Sequence, residues 1–575
     1  MPVPYTAPLA DMRFVLSRLL GIADMETADA VLEEAAKIAG EVFAPLNEIG
    51  DRQGVKFENG KITMPPGFRD AYQAFVAGGW NGLPVAEEHG GQGLPWLLAI
   101  AVQEMMQAAN IGLALCGLLN QGAIELLSVH GDDRLKQKFL PKLVEGAWAG
   151  TMNLTEPQAG SDVGAVKSKA VKEGDHYRIT GQKIFISYGD HDLTENILHL
   201  VLARLPAAAE GTRGLSLFLV PKILVNDDGS LGKANDVRAV SIEHKLGQHV
   251  SPTCVMTYGD NGGAEGYLVG QEGGGIAAMF TMMNNARISV GVQGLALMER
   301  AYQQARDFAK TRVQSRPIEN PKAAPVTIIH HPDVRRMLLS MKAHNEAARA
   351  LAYTCALAVD EAKQENSAAA LRVDLLTPIV KGWLTDLANE MTSTGVQIFG
   401  GMGYIEETGA AQHMRDARIL AIYEGTNGIQ ANDLVFRKLG RDNGAAFGVL
   451  IGEVENFVAA TKQKNREALA DAVGAAKDSA AWLLQNVKSN PALAAAAAAP
   501  FLRLCGNMLG GYYLLRMAEL AQDDLAAGNG GADFLKGKII SADFFAAHVL
   551  PQNAALAETV KSGGGPVLAM SEAMF

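Results

Sequence analysis

The stretch Ile422-Tyr423-Glu424-Gly425-Thr426-Asn427 places a carboxylate at a loop-to-helix boundary with a glycine behind it. A carboxylate kept from water is a general base, although a lone glutamate is more often simply solvated. Three other segments offer complementary chemistry. Thr155-Glu156-Pro157-Gln158-Ala159-Gly160-Ser161-Asp162 is a polar loop whose hydroxyls and N–H groups suit the carbonyls or phosphates of a cofactor. It suits an inter-domain turn equally well, because Gly, Pro and Asp dominate turns. Gly181 to Ser187 reads as a strand in which Phe185 and Ser187, two residues apart, share a face. An aromatic beside a hydroxyl fits a flat heteroaromatic ring that also needs a hydrogen bond, while core packing of Phe185 is the simpler reading of the segment alone. Val396 to Tyr404 is a helix ending in Gly400-Gly401, where a ligand or another chain can approach the backbone and where helix termination explains the glycines as well. Separately these are weak signals; their joint order and spacing are not.

Four regions must position these segments. Residues 1–150 read as an N-terminal helical domain with an N-terminal extension. Met12, Val15, Leu16, Leu19 and Leu20 recur at helical spacing, as do Val31, Leu32, Ala35, Ile38 and Val42 before Pro45. Further helix follows around 100–110 and 122–144. Residues 151–275 turn glycine-rich, with β-type runs at 176–186, 197–203, 214–220 and 254–258 separated by turns such as Asp227-Asp228-Gly229. This predicts a small, central antiparallel β domain. Residues 276–445 return to helix, with one stripe through Ile288, Val292, Leu295 and Met298. A second helix opens at Pro332 and a third at Thr377-Pro378, the latter with Val380, Trp383, Leu384, Leu387 and Met391 facing one way. With one more helix beyond Gly425 these predict a four-helix bundle. Residues 446–575 read as an extra, alanine-rich C-terminal helical domain, suited to docking on the rest or to an oligomer contact. The fold class is therefore mainly α with a central antiparallel β domain.

At 575 residues the chain exceeds one ordinary core, and about 150 residues per domain suggests three or four. Hydrophobic and charged fractions of 48% and 20% are those of a globular protein. With 51 basic against 62 acidic residues the net charge is −11, which argues against a nucleic-acid partner. An anionic ligand must then be met by local arginines and backbone N–H groups. Cys116, Cys254, Cys355 and Cys505 are scattered without a CxxC pair, which points to reduced thiols and not to a zinc site or disulfide framework. The opening residues carry Asp11 and no basic-then-apolar leader pattern, so a cytoplasmic location is expected. The most membrane-like run, Leu493 to Ala499, ends at Pro500 and falls short of the roughly 20 residues a span needs, so no membrane span is expected.

From about residue 30 to 440 the chain resembles the acyl-CoA dehydrogenases, FAD-dependent flavoproteins that desaturate acyl-CoA thioesters. TEPQAGSD at 155–162 is similar to the family's TEPxAGSD flavin loop, and MRDARILAIYEGTNGIQ at 414–430 to its MRDxxxxxIYEGTxxIQ signature. The resemblance implies FAD as cofactor, with Leu154 and Thr155 at the flavin pyrimidine and Ser161 beside the flavin and the substrate's pantetheine. It places Phe185 against the isoalloxazine, the Ser187 hydroxyl at flavin N5 and Thr426 near the pyrophosphate. Arg312, Gln397, Gly400 and Gly401 match residues that reach the FAD of a neighbouring subunit, which implies a homodimer or larger homo-oligomer. Arg287 matches the family's arginine near the CoA chain, and Gly425 a substrate contact. Two positions depart from the family: Gln314 is followed by Ser315-Arg316 in place of Phe-Gly, and Gly428 stands where many members carry glutamate. Members without the glutamate before Gly-Thr take their base from the place held here by Ala286, so Glu424 is the most economical base.

By the same resemblance Glu424 removes the α proton while the β hydrogen leaves as hydride to flavin N5. A flavin ribityl hydroxyl and the Glu424 N–H then hold the thioester oxygen. The long form is similar to bacterial members that include 3-methylthiopropanoyl-CoA dehydrogenases, while relatives of similar length take medium or long fatty acyl chains in β-oxidation. Electron-transfer flavoprotein is the implied acceptor; direct use of oxygen by an acyl-CoA oxidase is the alternative, and an idle binding relative a third reading.

Overall fold

A computed structural model describes residues 4–575. The chain divides into two compact units, one comprising Glu34–Ala286 with Pro4 and Tyr5, the other Thr6–Glu33 with Arg287–Phe575.

In the first unit the helices α1 (Trp96–His130) and α2 (Asp133–Glu145) precede the sheet. α1 is kinked at Asn110, whose backbone leaves helical geometry and whose Oδ1 accepts the Leu113 N–H, so the side chain caps the second half. α2 opens with Asp132 accepting the Leu135 N–H and closes at Gly146 with φ 79°, a left-handed position that glycine adopts without strain. The strands β1 (Trp148–Asn153), β2 (Lys169–Glu173), β3 (His176–Ser187), β4 (Asn196–Arg204), β5 (Leu215–Pro221), β6 (Val237–Ile242), β7 (Thr253–Tyr258) and β8 (Ala264–Val269) form one eight-stranded sheet. Its order is β6-β7-β3-β8-β5-β4-β1, with β2 paired to β3 and β4. The four runs expected from sequence are β3, β4, β5 and β7. The sheet is mainly antiparallel, as expected, but β1 runs parallel to β4 from Trp148↔Asn196 to Asn153↔Val201. All six β1 residues are buried, so the strand lacks the alternation by which a half-exposed strand announces itself. Its Gly150 meets α1 so closely that a Cβ would stand 2.3 Å from that of Ala123. Tyr177, Ile179, Val201, Phe218 and Tyr258 anchor the core of this domain.

The second unit is helical. α3 (Gly275–Thr311) runs into it from the first, followed by α4 (Pro332–Lys363), α5 (Ser367–Phe399) and the short α6 (Asn427–Asn432), then α7 (Ala445–Ala460), α8 (Arg466–Ser489), α9 (Pro491–Ala527), α10 (Ala532–His548) and α11 (Gln552–Ser562). α4 opens at Pro332 as expected. α5 corrects the expectation of a start at Thr377-Pro378. It begins ten residues earlier, where Asn366 caps the Ala368 and Ala369 N–H groups, and Pro378 lies inside it between the buried Leu375, Leu376, Ile379 and Val380. Packing on both sides of the proline outweighs its lost hydrogen bond.

By its contacts the segment Thr6–Glu33 groups with the second unit. Arg18 Nε bonds Asp524 on α9 at 2.8 Å, and the fully buried Lys538 on α10 pairs with Asp11 and, at 3.1 Å, with Glu346. Periodicity shows which face of a helix is apolar, not which partner covers it. The alanine run at 493–499 is one stretch of the 37-residue α9. By length and composition α1 and α9 are apolar enough to cross a membrane, yet 83% and 61% of their apolar windows are buried within the protein, the position of core helices. All four cysteines are buried and unbonded.

Candidate active site

Two sets of residues carry the expected chemistry, one in each unit. In the first unit the Thr155–Asp162 loop leaves β1 and is clamped from beneath by a buried ion pair. Lys183 on β3 bonds Glu156 Oε1 and the Leu154 carbonyl, both at 2.9 Å. Glu156 also accepts the Lys167 and Ser168 N–H groups and the Ser168 hydroxyl. Burial alone would raise the Glu156 carboxyl, but Lys183, Ser168 and Lys167 outweigh it and bring it down to about 2; burial lowers Lys183 to about 8. The clamp leaves Ser161 and Asp162 exposed, and the Thr155 carbonyl is tied to β3 by the Ile184 N–H at 2.9 Å.

β3 does not keep the simple alternation expected of it. Its register against β7 slips between Cys254 and Met256, which pair with Ile186 and Lys183, so β3 carries one extra residue at Ile184-Phe185. This bulge throws Phe185 to φ 59° and leaves it 60% exposed. Core packing of Phe185 is thereby overturned. Ser187, half-buried, returns to the ladder, and its carbonyl accepts the Thr151 hydroxyl at 2.7 Å.

In the second unit Glu424 has φ 56° and Gly425 φ 88°. A left-handed glutamate costs about 1 kcal/mol or more, so the surroundings must hold it. The buried Arg287 donates from Nε to the Glu424 carbonyl at 3.4 Å, and Gln430 Nε2 reaches the Glu424 and Gly425 carbonyls. A Cβ on Gly425 would stand 2.6 Å from Gln430 Nε2. Tyr423 donates its hydroxyl to Gln293 Oε1. Among the described residues no acceptor is recorded for the Glu424 N–H. Burial pushes the Glu424 carboxyl above the usual glutamate range, with Arg287 and Lys381 pulling the other way. Burial likewise lowers Lys381, to about 7, against the pull of Glu424 and Asp386. Thr426 uses its hydroxyl to cap α6, accepting the Ile429 N–H at 3.3 Å.

Arg312, Gln397, Gly400 and Gly401 are exposed. Phe308 and Phe399 stack at 4.3 Å and so tie the end of α3, which leads to Arg312, to the end of α5, which carries Gln397. Gly400 needs its φ of 61°, whereas among the described residues, chain neighbours aside, no atom lies within 4 Å of where a Cβ on Gly401 would stand. The departure at Ser315-Arg316 is a bend, with Ser315 at φ 60° and the loop closed by an isolated bridge between Val313 and Thr327 and by the Ile328 N–H to Arg312 carbonyl bond at 2.8 Å. Lys381 was not among the sequence candidates, and Asn427 and Glu156 stood only as members of their segments, with no role of their own. The signal available was Lys381, a charge beside the apolar stripe of α5.

Compared with known families, residues 25–147, 151–260 and 273–439 match the acyl-CoA dehydrogenase N-terminal, middle and C-terminal domains in turn. The chain belongs to the acyl-CoA dehydrogenase family. Residues 450–571 match a further domain described as acetyl-CoA dehydrogenase C-terminal like. The chain is similar over 99% of its length, at 46% identity, to the whole of a 3-methylmercaptopropionyl-CoA dehydrogenase of Ruegeria pomeroyi. It is also 35% identical, over 99% of its length and 100% of the relative's, to a broad-specificity linear acyl-CoA dehydrogenase of Mycobacterium tuberculosis. A solved acyl-CoA dehydrogenase of Bacillus anthracis complexed with FAD shares the fold over 96% of this chain and 90% of its own, with TM-score 0.76 and 19% identity. This acyl-CoA dehydrogenase is an oxidoreductase that uses a flavin to dehydrogenate an acyl-CoA, and neither an oxidase nor an idle relative is favoured. Within the first unit the residues present fit a flavin: an aromatic ring held out of its sheet by a bulge and a polar loop tied to the same strand and clamped from beneath.

Proposed function

We propose that Glu424 is the base of this dehydrogenation, that the flavin is FAD, and that 3-methylthiopropanoyl-CoA is the substrate. The observation that carries the assignment is the left-handed, cation-flanked placement of Glu424. Burial makes the carboxylate a stronger base than in water, and Arg287 with Lys381 keeps enough of it ionised to accept the α proton. The Glu424 N–H, which meets no acceptor among the described residues, is placed to donate to the thioester oxygen, where negative charge develops as that proton leaves; a preorganised donor there contributes about 3 kcal/mol. FAD, when bound, supplies the acceptor for the β hydrogen. Leu154, Thr155, Ser161, Phe185 and Ser187 orient the flavin, and Arg287 and Gly425 border the acyl-CoA. The similarity over the full length of both chains supports the methylthio acyl group.

Exposed Arg312 and Gln397, with the open face of Gly401, suit the FAD of a second copy, which supports a homodimer; electron-transfer flavoprotein is the acceptor the resemblance implies. The test is anaerobic bleaching of bound flavin by a panel of acyl-CoAs of increasing chain length that includes 3-methylthiopropanoyl-CoA. Fastest bleaching by the methylthio compound supports the assignment, and faster bleaching by a longer linear chain overturns the substrate. Peroxide release in air that matches turnover would overturn the acceptor.

A further inference from the structure

The C-terminal residues beyond 445 carry no candidate catalytic group, yet they lie directly behind the loop that holds Glu424. Three residues after Glu424, Asn427 inserts its amide into one turn of α5. Its Oδ1 accepts Lys381 Nζ at 2.9 Å. Its Nδ2 lies within donating distance of the Gly382 carbonyl at 3.1 Å, Thr385 Oγ1 at 2.9 Å and Asp386 Oδ1 at 2.6 Å. Thr385 spends its own proton on the Lys381 carbonyl at 2.7 Å. The orientation of the amide follows from the partners, since an ammonium only donates and a backbone carbonyl only accepts.

The other side of that same turn is held by α9. Trp383 Nε1 donates to Asn507 Oδ1 at 3.1 Å, and Asn507 Nδ2 donates in turn to Asn553 Oδ1 on α11 at 3.1 Å. The approach is so close that a Cβ on Gly506 would stand 2.2 Å from the Trp383 ring, and one on Gly382 2.8 Å from Leu502. One turn further along α5, Arg503 forks onto Glu390 at 2.6 and 2.9 Å.

We propose that the C-terminal helical segment is a positioning device for the base: α9 fixes the Gly382–Asp386 turn of α5, that turn clasps Asn427, and Asn427 holds the left-handed Glu424-Gly425 loop. The inference rests on the reading of Glu424 as the base. It gives the extra helices a role in the reaction without any of them touching substrate. Asn427, Thr385, Trp383 and Asn507 are positioning residues in this sense. Lys381 has two parts, a bond to Asn427 and a positive charge near Glu424. The charged groups around the clasp are Glu424, Arg287, Lys381 and Asp386, with Glu390 and Arg503 behind them and Asp433 and Arg437 acting on Arg287.

The experiment uses the flavin-loaded full chain, with anaerobic bleaching by 3-methylthiopropanoyl-CoA followed against pH, together with flavin content and thermal midpoint. Asn427→Ala should slow the limiting bleaching rate about 10²-fold, the scale of a misplaced reacting group, while the half-saturating substrate concentration stays within about threefold. Thr385→Val should slow it about tenfold and Thr385→Ser restore it, a rescue that keeps the test intact if Asn427→Ala does not fold. Asn507→Leu and Trp383→Phe should act in the same direction by several-fold, with flavin retained. Lys381→Met should also move the ascending pH limb to higher pH, because removing a cation disfavours the ionised base. If Asn507→Leu and Trp383→Phe lower the thermal midpoint but leave rate and pH limb at parent values, the domain is structural only and the proposal is overturned. It is equally overturned if Thr385→Val bleaches at the parent rate. A Glu424→Gln variant that bleaches normally would instead remove the base reading itself, a result the other variants do not mimic.

Discussion

Phe185 and Glu424 share an unusual backbone, each a non-glycine residue at a φ near +60°, and the two are held there by different means. Phe185 is fixed by the hydrogen-bond ladder of a sheet, one residue out of register with β7. Glu424 is fixed by side chains, through Arg287, Gln430 and the clasp on Asn427. A bulge made of backbone is indifferent to pH and to most substitutions. A loop held by ionisable side chains is neither. In the proposed roles, a ring against a flavin needs only to be flat and present, whereas a base must have the right charge at the right pH, and the second kind of support allows that to be set.

Four measurements separate the two regions, the largest effect first. Glu424→Gln should retain flavin and slow anaerobic bleaching by about 10³-fold, within the range that a general base contributes; stopped-flow absorbance reads both. Next is the clamp under the Thr155–Asp162 loop. Glu156→Gln strands the Lys183 ammonium in a fully buried place and should cost about 3 kcal/mol in chemical denaturation. The native Glu156 has a depressed pKa, so its contribution is present above the unfolded glutamate value and is lost as pH falls through about 2. In the variant that acid-range slope should flatten.

The third is the pH profile of bleaching. Glu424 acts only when ionised and burial raises it, so the rate should fall with falling pH at values above the ordinary glutamate pKa of about 4.3. A limb at the ordinary value would show that the loop leaves Glu424 solvated, and the contrast with Phe185 would then lapse. The smallest effect is at Phe185→Leu. Because the ring is 60% exposed, stability of the flavin-free protein should stay within about 0.5 kcal/mol. Flavin affinity should drop by about 1 kcal/mol, the value of a ring–ring contact, as titration of the flavin-free protein with FAD would measure.

The two regions also differ in how far they are legible in the amino-acid sequence. TEPQAGSD and the run around Tyr423-Glu424-Gly425-Thr426 carry their polar and glycine chemistry in contiguous residues, and the strands and long helices follow from periodicity. The bulge at Phe185 does not, because alternation places residues on faces and contains no mark for an extra residue. β1 was hidden by being buried on every side, and the true start of α5 by Pro378, which reads as a helix opening. The clasp was hidden for a further reason. Lys381 and Asp386 lie in sequence far from Asn427, and a charge on a helix is solvated more often than it is buried.

One contact bears on the order of events at the ribosome. Asp11 is paired to Lys538, 527 residues later, and the segment Thr6–Glu33 belongs with the C-terminal unit. At roughly 10 residues per second, translation therefore leaves that first segment without its partner for on the order of a minute. Glu34–Ala286 emerges complete in the meantime and can fold first. The helix α10 then supplies the Lys538 partner, so a chain that stalls before α10 is translated leaves Asp11 without it.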